Sequence, residues 1–166
     1  MSARILLADG SFRDDATRVV RDAGAGEIVA GDVVPLAAYL DLAPAQRAGL
    51  GVWLGPADEP AQLAESIASL ALIAVDFPVF RDGRGFSTAA LLRTRHGFRG
   101  DLRAIGDVLI DQLFYLRRVG FSSFALRADQ DPEFAVAALR TFTEVYQGSV
   151  DQPLPYFRRR SVAVTH

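Results

Sequence analysis

The chain lacks cysteine and lysine, and it has two histidines among its 166 residues. Without cysteine there can be no disulfide, no thiolate nucleophile and no cysteine-ligated iron–sulfur cluster. His96 and His166 are too far apart in the sequence to give the ligand spacing of a metal site, so we predict no metal. The formal net charge of −2 disfavours a general role in nucleic-acid binding, which needs a basic surface.

Long apolar runs are also missing. The most apolar window, residues 67–75, is far shorter than the roughly 20 residues that a helix needs to cross a bilayer. The first residues, MSARILLADGSF, lack the apolar core of a secretory signal peptide. We therefore expect a cytoplasmic protein.

What the sequence does contain is a regular alternation of apolar segments and turns from residue 49 onward. Short apolar runs predict strands, and apolar residues at helical spacing predict helices between them. The predicted strands are residues 49–54, 70–77, 102–106 and 122–127. The predicted helices are residues 59–70, 87–97, 107–120 and a last one that Asp131 and Pro132 open and that runs through Phe142 to Val145.

This order predicts an α/β fold of about four consecutive strand–helix units with a mostly parallel sheet. Two closures remain open at this point. One is an open, flavodoxin-like sheet, and the other is a half-barrel, resembling part of an eight-stranded α/β barrel. Four units cannot close a barrel, so the half-barrel would need the N-terminal segment or a second chain.

The predicted organisation has three parts. Residues 1–48 form an irregular N-terminal extension packed on the core, with strands at 4–8 and 27–31, a short helix or strand at 14–23, and helical segments at 35–40 and 44–48. Residues 49–149 form the parallel α/β core. Residues 150–166, with two prolines and three consecutive arginines, form an extended C-terminal arm.

Three of the predicted strands have a charged residue at their carboxyl end or directly after it. Asp76 ends the second strand, Asp107 follows the third, and Arg127 ends the fourth. Because parallel α/β folds bind ligands beyond the carboxyl ends of their strands, these three residues are the candidate catalytic residues. The alternative is structural: Asp107 caps the next helix, and Asp76 bonds loop amides.

The loop DGRGFST, residues 82–88, predicts an anion-binding site made of Arg84, Gly85, Ser87 and Thr88. Free N–H groups at a helix start attract anions, and a guanidinium adds a bidentate contact. The alternative is a tight turn with Ser87 as helix cap and with Arg84 paired to Asp82 or Asp107. The loop has neither P-loop nor dinucleotide glycine spacing.

A polar stripe interrupts the apolar run VLIDQLFYL. On a helix from residue 107, Asp107 and Asp111 would share one face, and Tyr115 and Arg118 would continue it. One interpretation is that Asp111 and Gln112 lie on a solvated stripe between core residues. The other is a packed polar interface between subunits, made of Asp111, Tyr115 and Arg118. Such an interface would make the protein a homodimer.

Three blocks carry a family resemblance: FPVFRDGRGFSTAALLR, GFRGDLRAIGDVLIDQ and FYLRRVGFSSF. They resemble a bacterial family of unknown function whose members are described as oxidoreductases with an inferred role in sulfite reduction. The resemblance covers residues 49–127, about half of the chain. Phe86 stands where the family pattern leads us to expect tyrosine, so no catalytic tyrosine is expected there.

The resemblance implies a role in assimilatory sulfur metabolism, with sulfite reductase as partner, and it supplies no catalytic residue. A redox enzyme must hold electrons on a cofactor, and none is identified in the sequence. An accessory factor that binds the reductase, or a small anion such as sulfite, fits these observations better. The alternatives are an oxidoreductase with an unidentified cofactor and a purely structural dimeric interaction protein.

Overall fold

Seven strands form one mixed sheet within residues 3–22, 26–141, 145–156 and 158–159, the part of the chain that this computed structural model describes. The strands are β1 (Ala3–Leu7), β2 (Phe12–Asp15), β3 (Val33–Pro35), β4 (Gly51–Leu54), β5 (Leu72–Phe77), β6 (Asp101–Gly106) and β7 (Ser123–Phe124). Neighbouring strands lie in the order β2-β1-β7-β6-β5-β4-β3. Strands β3 to β7 are parallel to one another, whereas β1 is antiparallel to both β2 and β7.

The five parallel strands are neighbours in sequence order, which decides between the two predicted closures. Right-handed crossovers that always advance in the same direction put every connecting segment on the same face of the sheet. A flavodoxin-like sheet instead reverses its strand order at a switch point. The sheet here is therefore a curled half-barrel, and its antiparallel pair makes it less parallel than the sequence predicted.

Four α-helices are present among the described residues: α1 (Leu36–Asp41), α2 (Arg84–Thr94), α3 (Leu113–Arg118) and α4 (Pro132–Leu139). The predicted cap of α4 is confirmed, since Asp131 Oδ1 accepts hydrogen bonds from the amides of Glu133 (2.8 Å) and Phe134 (3.4 Å). Phe142, predicted to continue this helix, lies outside the described residues, and Val145 is not helical.

Several predicted elements are wrong. The predicted helix 59–70 is two 3-10 turns, Pro60–Leu63 and Ile67–Ser69, and Ser69 Oγ donates to the carbonyl of Ser66 at 2.7 Å. Such a local bond competes with the helical pattern. Residues 27–31 contain no strand, and residues 30 and 31 lie in a turn. The strand of that region is β3, which makes an additional strand–helix unit with α1.

Side chains alternate between the two faces of the sheet. Ile73, Val75 and Phe77 of β5 belong to the main core beneath the helices, and full burial of such a side chain contributes about 1.5–3 kcal/mol. Ala74 faces the opposite, inner side and belongs to a smaller apolar cluster with Val33 and Ile105. The last inward position of β5 is therefore occupied by Asp76, at the carboxyl end of the strand.

The chain that follows β2 joins the opposite edge of the sheet. Val20 N donates to Val33 O and Val33 N donates to Arg18 O, each at 2.9 Å. Residues 12–15 thus pair with β1 at one edge while residues 18–20 pair with β3 at the other. The N-terminal segment that the half-barrel prediction required is this one, which we name the closing segment (residues 16–22).

A charged cluster fills the inner face beside the closing segment. Arg103 of β6 is 3% exposed, and its guanidinium donates to Asp15 (2.9 Å), Asp101 (3.1 Å) and Ser123 Oγ (3.2 Å). Buried charges are tolerated when they are paired and hydrogen-bonded in this way. This inner cluster (Asp15, Asp101, Arg103 and Ser123) connects β2, β6 and β7.

The described part of the tail is bonded back on itself. Tyr156 N donates to Tyr146 O at 2.9 Å, and Arg159 Nη2 donates to Val145 O at 3.0 Å. No helix within the described ranges has the length and apolarity needed to cross a membrane.

Candidate functional site

The three residues predicted at the strand ends do converge. Asp76, Asp107 and Arg127 line one cavity of about 440 Å³ at the carboxyl edge of the parallel strands. Arg21, from the closing segment, lines the same cavity and was not predicted. We call these four residues the strand-end cluster; Phe77, Pro78 and Gly106 complete the lining.

Asp76 is buried, with 9% of its surface exposed. Arg21 Nη1 lies 2.7 Å from Asp76 Oδ1, which compensates its charge. However, no N–H among the described residues is directed at that oxygen with hydrogen-bond geometry. The distance and the missing alignment together describe an ion pair in which the carboxylate oxygen still lacks a hydrogen-bond donor.

Asp107 fastens a loop and does not cap a helix. Its Oδ2 accepts from the amide of Phe80 at 3.1 Å, and its own amide donates to Phe77 O at 2.7 Å. Helical structure begins only at Ile110, three residues after Asp107. The prediction that Asp107 and Asp111 share a helix face is therefore wrong.

Gly106 allows Asp76 and the Phe77 carbonyl to pack closely against the turn after β6. Its φ of +92° is unfavourable for any residue with a side chain. A Cβ atom there would lie 2.5 Å from Phe77 O and 2.7 Å from Asp76 Oδ1. The sharp turn between β6 and Asp107 therefore requires glycine.

Arg127 bridges two carboxylates. Its Nη1 donates to Asp107 Oδ1 at 2.7 Å, while Nε and Nη2 bind the two oxygens of Asp129 at 2.6 and 2.7 Å. The hydrogen bond from Arg127 lowers the pKa of Asp129 to about 2, and the same carboxylates, Asp129 first, raise the pKa of Arg127. Both groups keep their charge at neutral pH.

Arg21 reaches this edge because the closing segment is held over the inner face. Its guanidinium lies over the indole of Trp53, with Cζ 5.2 Å from the ring centroid. Trp53 Nε1 in turn donates to Val20 O at 2.9 Å. Sequence patterns do not point to Arg21, because its position depends on a pairing across the whole sheet.

The predicted anion loop is occupied by its own carboxylate. Arg84 binds Asp82 through Nε (2.9 Å) and Nη2 (2.6 Å), and this pairing lowers the pKa of Asp82. Asp82 Oδ1 also accepts from Arg84 N at 3.1 Å, so it satisfies an amide at the helix start. The N-cap of α2 is Gly83, and the prediction that Ser87 caps the helix is wrong.

Gly85 and Thr88 are buried and pack α2 against the sheet. A Cβ atom at Gly85 would lie 2.6 Å from the ring of Phe77, so glycine permits the close approach of α2 to β5. Neither residue, nor Arg84 or Ser87, lines the strand-end cavity. The structure thus separates the predicted anion loop from the strand-end cluster.

The three predicted interface residues divide into two groups. Asp111 and Tyr115 are exposed, Tyr115 at 56%. Arg118 instead holds the tail, with Nη2 donating to Gln147 O at 2.5 Å and Nε lying 3.6 Å from Asp151 Oδ1.

Exposed apolar residues lie in the loop that is bonded to Gln112, the residue after Asp111. Val79 and Phe80, in the loop after β5, are 55% and 48% exposed. Gln112 Nε2 donates to Phe80 O at 2.9 Å and thereby fixes this loop to the start of α3. We call this surface the loop–helix face (Val79, Phe80, Asp111 and Tyr115).

In the described ranges no three His, Cys, Asp or Glu side chains are grouped so that they could hold a metal ion. No curated protein matches the chain. The model of a family described as "Bacterial protein of unknown function (DUF934)" matches residues 51–157, which include β4 to β7 and the strand-end cluster except Arg21. Because this match spans more than half of the 166 residues, the chain belongs to the DUF934 family.

Proposed function

We propose that this protein is an accessory factor of assimilatory sulfite reduction, which acts by docking on sulfite reductase through its loop–helix face. One observation carries the proposal: the charges at the strand ends are paired with one another, whereas apolar side chains beside them are left exposed. The choice of sulfite reductase as partner comes from the family resemblance of residues 49–127.

The strand-end charges favour binding over acid–base catalysis. General acids and bases work best when their pKa lies near the operating pH. Arg127 of the cluster donates to Asp129 and Asp107, and these bonds raise its pKa further away from neutrality. A cluster with these fixed charges supports recognition and positioning.

The loop–helix face has the composition of a docking surface. Tyrosine and phenylalanine are enriched at the centres of protein interfaces, with polar groups around them. Phe80 and Tyr115 supply the aromatic area, and the Gln112 hydrogen bond holds the loop in place before a partner arrives. A prearranged surface binds with less loss of conformational entropy.

The test is co-purification of the full chain with sulfite reductase from the same organism. We expect the double variant Phe80→Ala, Tyr115→Ala to weaken capture by about tenfold or more, the effect of losing interface aromatics. Phe134→Ala is the matched control, because Phe134 is 68% exposed on α4, on a different element, and its loss should leave capture unchanged.

Two outcomes would contradict the proposal. One is failure of the folded wild-type chain to bind the folded reductase. The other is a native mass that falls from dimer to monomer in the double variant, since that would assign the face to a second copy of the chain.

A second candidate is an oxidoreductase of sulfite reduction with its site at Asp76, Asp107 and Arg127. The observation in its favour is the cavity of about 440 Å³ at the strand ends, the usual ligand position in parallel α/β folds. An absorption spectrum of the protein purified from its own host distinguishes the two candidates. A bound chromophore lost in Asp107→Asn would favour the enzyme.

A further inference from the structure

We propose that the strand-end cluster binds a small oxyanion that carries a hydroxyl group, such as hydrogenphosphate or hydrogensulfite. In this site Arg21 and Arg127 hold the charged oxygens, and Asp76 accepts the hydroxyl proton in a hydrogen bond. The inference goes beyond docking on a reductase and does not depend on it, because the loop–helix face does not line this cavity.

Two guanidinium groups supply the positive side of the site. Arg21 and Arg127 both line the cavity, and their side chains are 50% and 45% exposed. Arg127 has five N–H groups, and its bonds to Asp107 and Asp129 engage Nε, Nη1 and Nη2 once each. One N–H on each terminal nitrogen is therefore left to bind oxygen atoms of a ligand.

Arg21 has still more donor capacity. The structure shows a single ion pair for it, the contact of Nη1 with Asp76, and no directed hydrogen bond from its guanidinium to the described residues. Stacking on Trp53 orients the guanidinium plane without using its N–H groups. Arginine prearranged in this way suits the planar, bidentate recognition of an oxyanion.

Asp76 gives the site its selectivity for a hydroxyl group. Its Oδ1 is buried and receives no aligned donor from the described residues, an arrangement that is unfavourable for a carboxylate. Arg21 covers this oxygen, so a rotation of the guanidinium toward the ligand opens Oδ1 to the ligand O–H. An oxyanion without a hydroxyl, such as nitrate, would meet the negative charge of Asp76 instead.

The experiment titrates the full chain with phosphate, sulfite, hydrogencarbonate and nitrate near neutral pH, at an ionic strength held constant with chloride. Binding heat and the fluorescence of Trp53, the single tryptophan, are followed together. Since Arg21 lies over Trp53 and must turn toward the ligand, we expect binding to change the emission. We expect nitrate to bind at least about tenfold more weakly than the hydroxylated anions, because it cannot donate a hydrogen bond to the Asp76 carboxylate. Whichever of phosphate, sulfite and hydrogencarbonate binds most tightly identifies the kind of anion that the site takes.

Two variants test the assignment. Arg21→Gln should weaken phosphate or sulfite binding by about tenfold or more. Asp76→Asn should reduce the preference for hydroxylated anions over nitrate, because a neutral amide accepts more weakly and no longer repels nitrate. Arg84→Gln is the control, since Arg84 is exposed and paired with Asp82 away from the cavity, and it should bind like the wild type.

The proposal is overturned if no hydroxylated anion binds, if nitrate binds as well as phosphate, or if Arg84→Gln abolishes binding while Arg21→Gln does not. The last result would move the site to the loop at residues 82–88. Asp76→Asn keeps the side-chain volume, whereas Arg21→Gln leaves the buried Asp76 carboxylate without its ion-pair partner, so thermal unfolding curves must first show that each variant is folded at the temperature of the titration. Reductase capture is measured separately, so either proposal can fail alone.

Discussion

Gly106 packs against Asp76 of the strand-end cluster, and its replacement tests how closely the atoms around Asp76 are packed. We expect Gly106→Ala to destabilise the fold by about 1–3 kcal/mol, because alanine is strained at the positive φ of this position. We expect a similar further loss because the new Cβ would lie 2.5 Å from Phe77 O and 2.7 Å from Asp76 Oδ1. The measurement is the free energy of unfolding in urea.

Gly97→Ala is the matched control for this change. Gly97 also has a positive φ, +66°, but a Cβ atom there would meet no described atom within 4 Å. The difference between the two variants therefore measures the crowding around Asp76 and Phe77. Equal losses in both would mean that the strand-end cluster relaxes freely, contrary to the geometry.

Single residues also mark how far the sequence predicts the site. Asp76, Asp107 and Arg127 could be predicted because the carboxyl ends of parallel strands meet at one edge, whatever the details of packing. The hydrogen-bond partner of Asp107 could not be predicted. An aspartate directly after a strand can either cap the next helix or accept from a loop amide, and the sequence looks the same in both cases. Arg21 was missed because its position depends on a long-range pairing.

At the scale of the elements, local apolar pattern determined which predictions were right. β5 and β6 are buried on both faces, and the continuous apolar run of β5 and the short segment LRAIG of β6 predicted them to within two residues. The closing segment makes only two backbone hydrogen bonds to β3, through Arg18 and Val20. Nothing in its own residues specifies that contact, because the partner strand lies at the opposite edge of the sheet.

The closing segment can be tested with a proline. Val20→Pro removes the N–H that donates to Val33 O, and we expect a loss of about 0.5–1.5 kcal/mol or more in unfolding free energy. Trp53 emission should shift to longer wavelength, since its indole N–H is bonded to Val20 O. Val20→Ala keeps the N–H and controls for the lost side-chain volume. Indistinguishable stability and emission in the two variants would show that the segment does not hold the sheet edges together.

For the whole molecule, the inner cluster ties together strands that are distant in the sequence. Asp15 of β2, Asp101 and Arg103 of β6 and Ser123 of β7 meet on the inner face. Periodicity shows that positions 101 and 103 share a face of their strand, but it cannot show that Asp15 lies opposite them. The antiparallel pairing of β1 with β7, on which this arrangement depends, was absent from the predicted fold for the same reason.

The inner cluster makes the stability of the whole chain sensitive to acid. Burial raises the pKa of Asp101, but the hydroxyls of Ser122 and Ser123 and the guanidinium of Arg103 outweigh it, so this pKa lies below its ordinary value. A carboxyl group with a lowered pKa in the folded state stabilises the fold above its unfolded pKa, about 4, and that stabilisation is lost as pH falls through the folded value. We therefore expect the unfolding free energy to decrease below about pH 4.

Ser123→Ala is the variant that tests this dependence. Ser123 Oγ donates to Asp101 Oδ1 at 2.7 Å, so its loss should raise the pKa of Asp101 and move the onset of acid destabilisation to higher pH. Ser69→Ala is the matched control, because the exposed Ser69 Oγ donates to the carbonyl of Ser66 at 2.7 Å and not to a carboxylate. Urea unfolding across the acid range should show a shifted onset for Ser123→Ala and an unchanged one for Ser69→Ala. Coincident onsets would mean that the acid response of the protein arises outside the inner cluster, and that its buried ion pairs contribute specificity of strand arrangement instead.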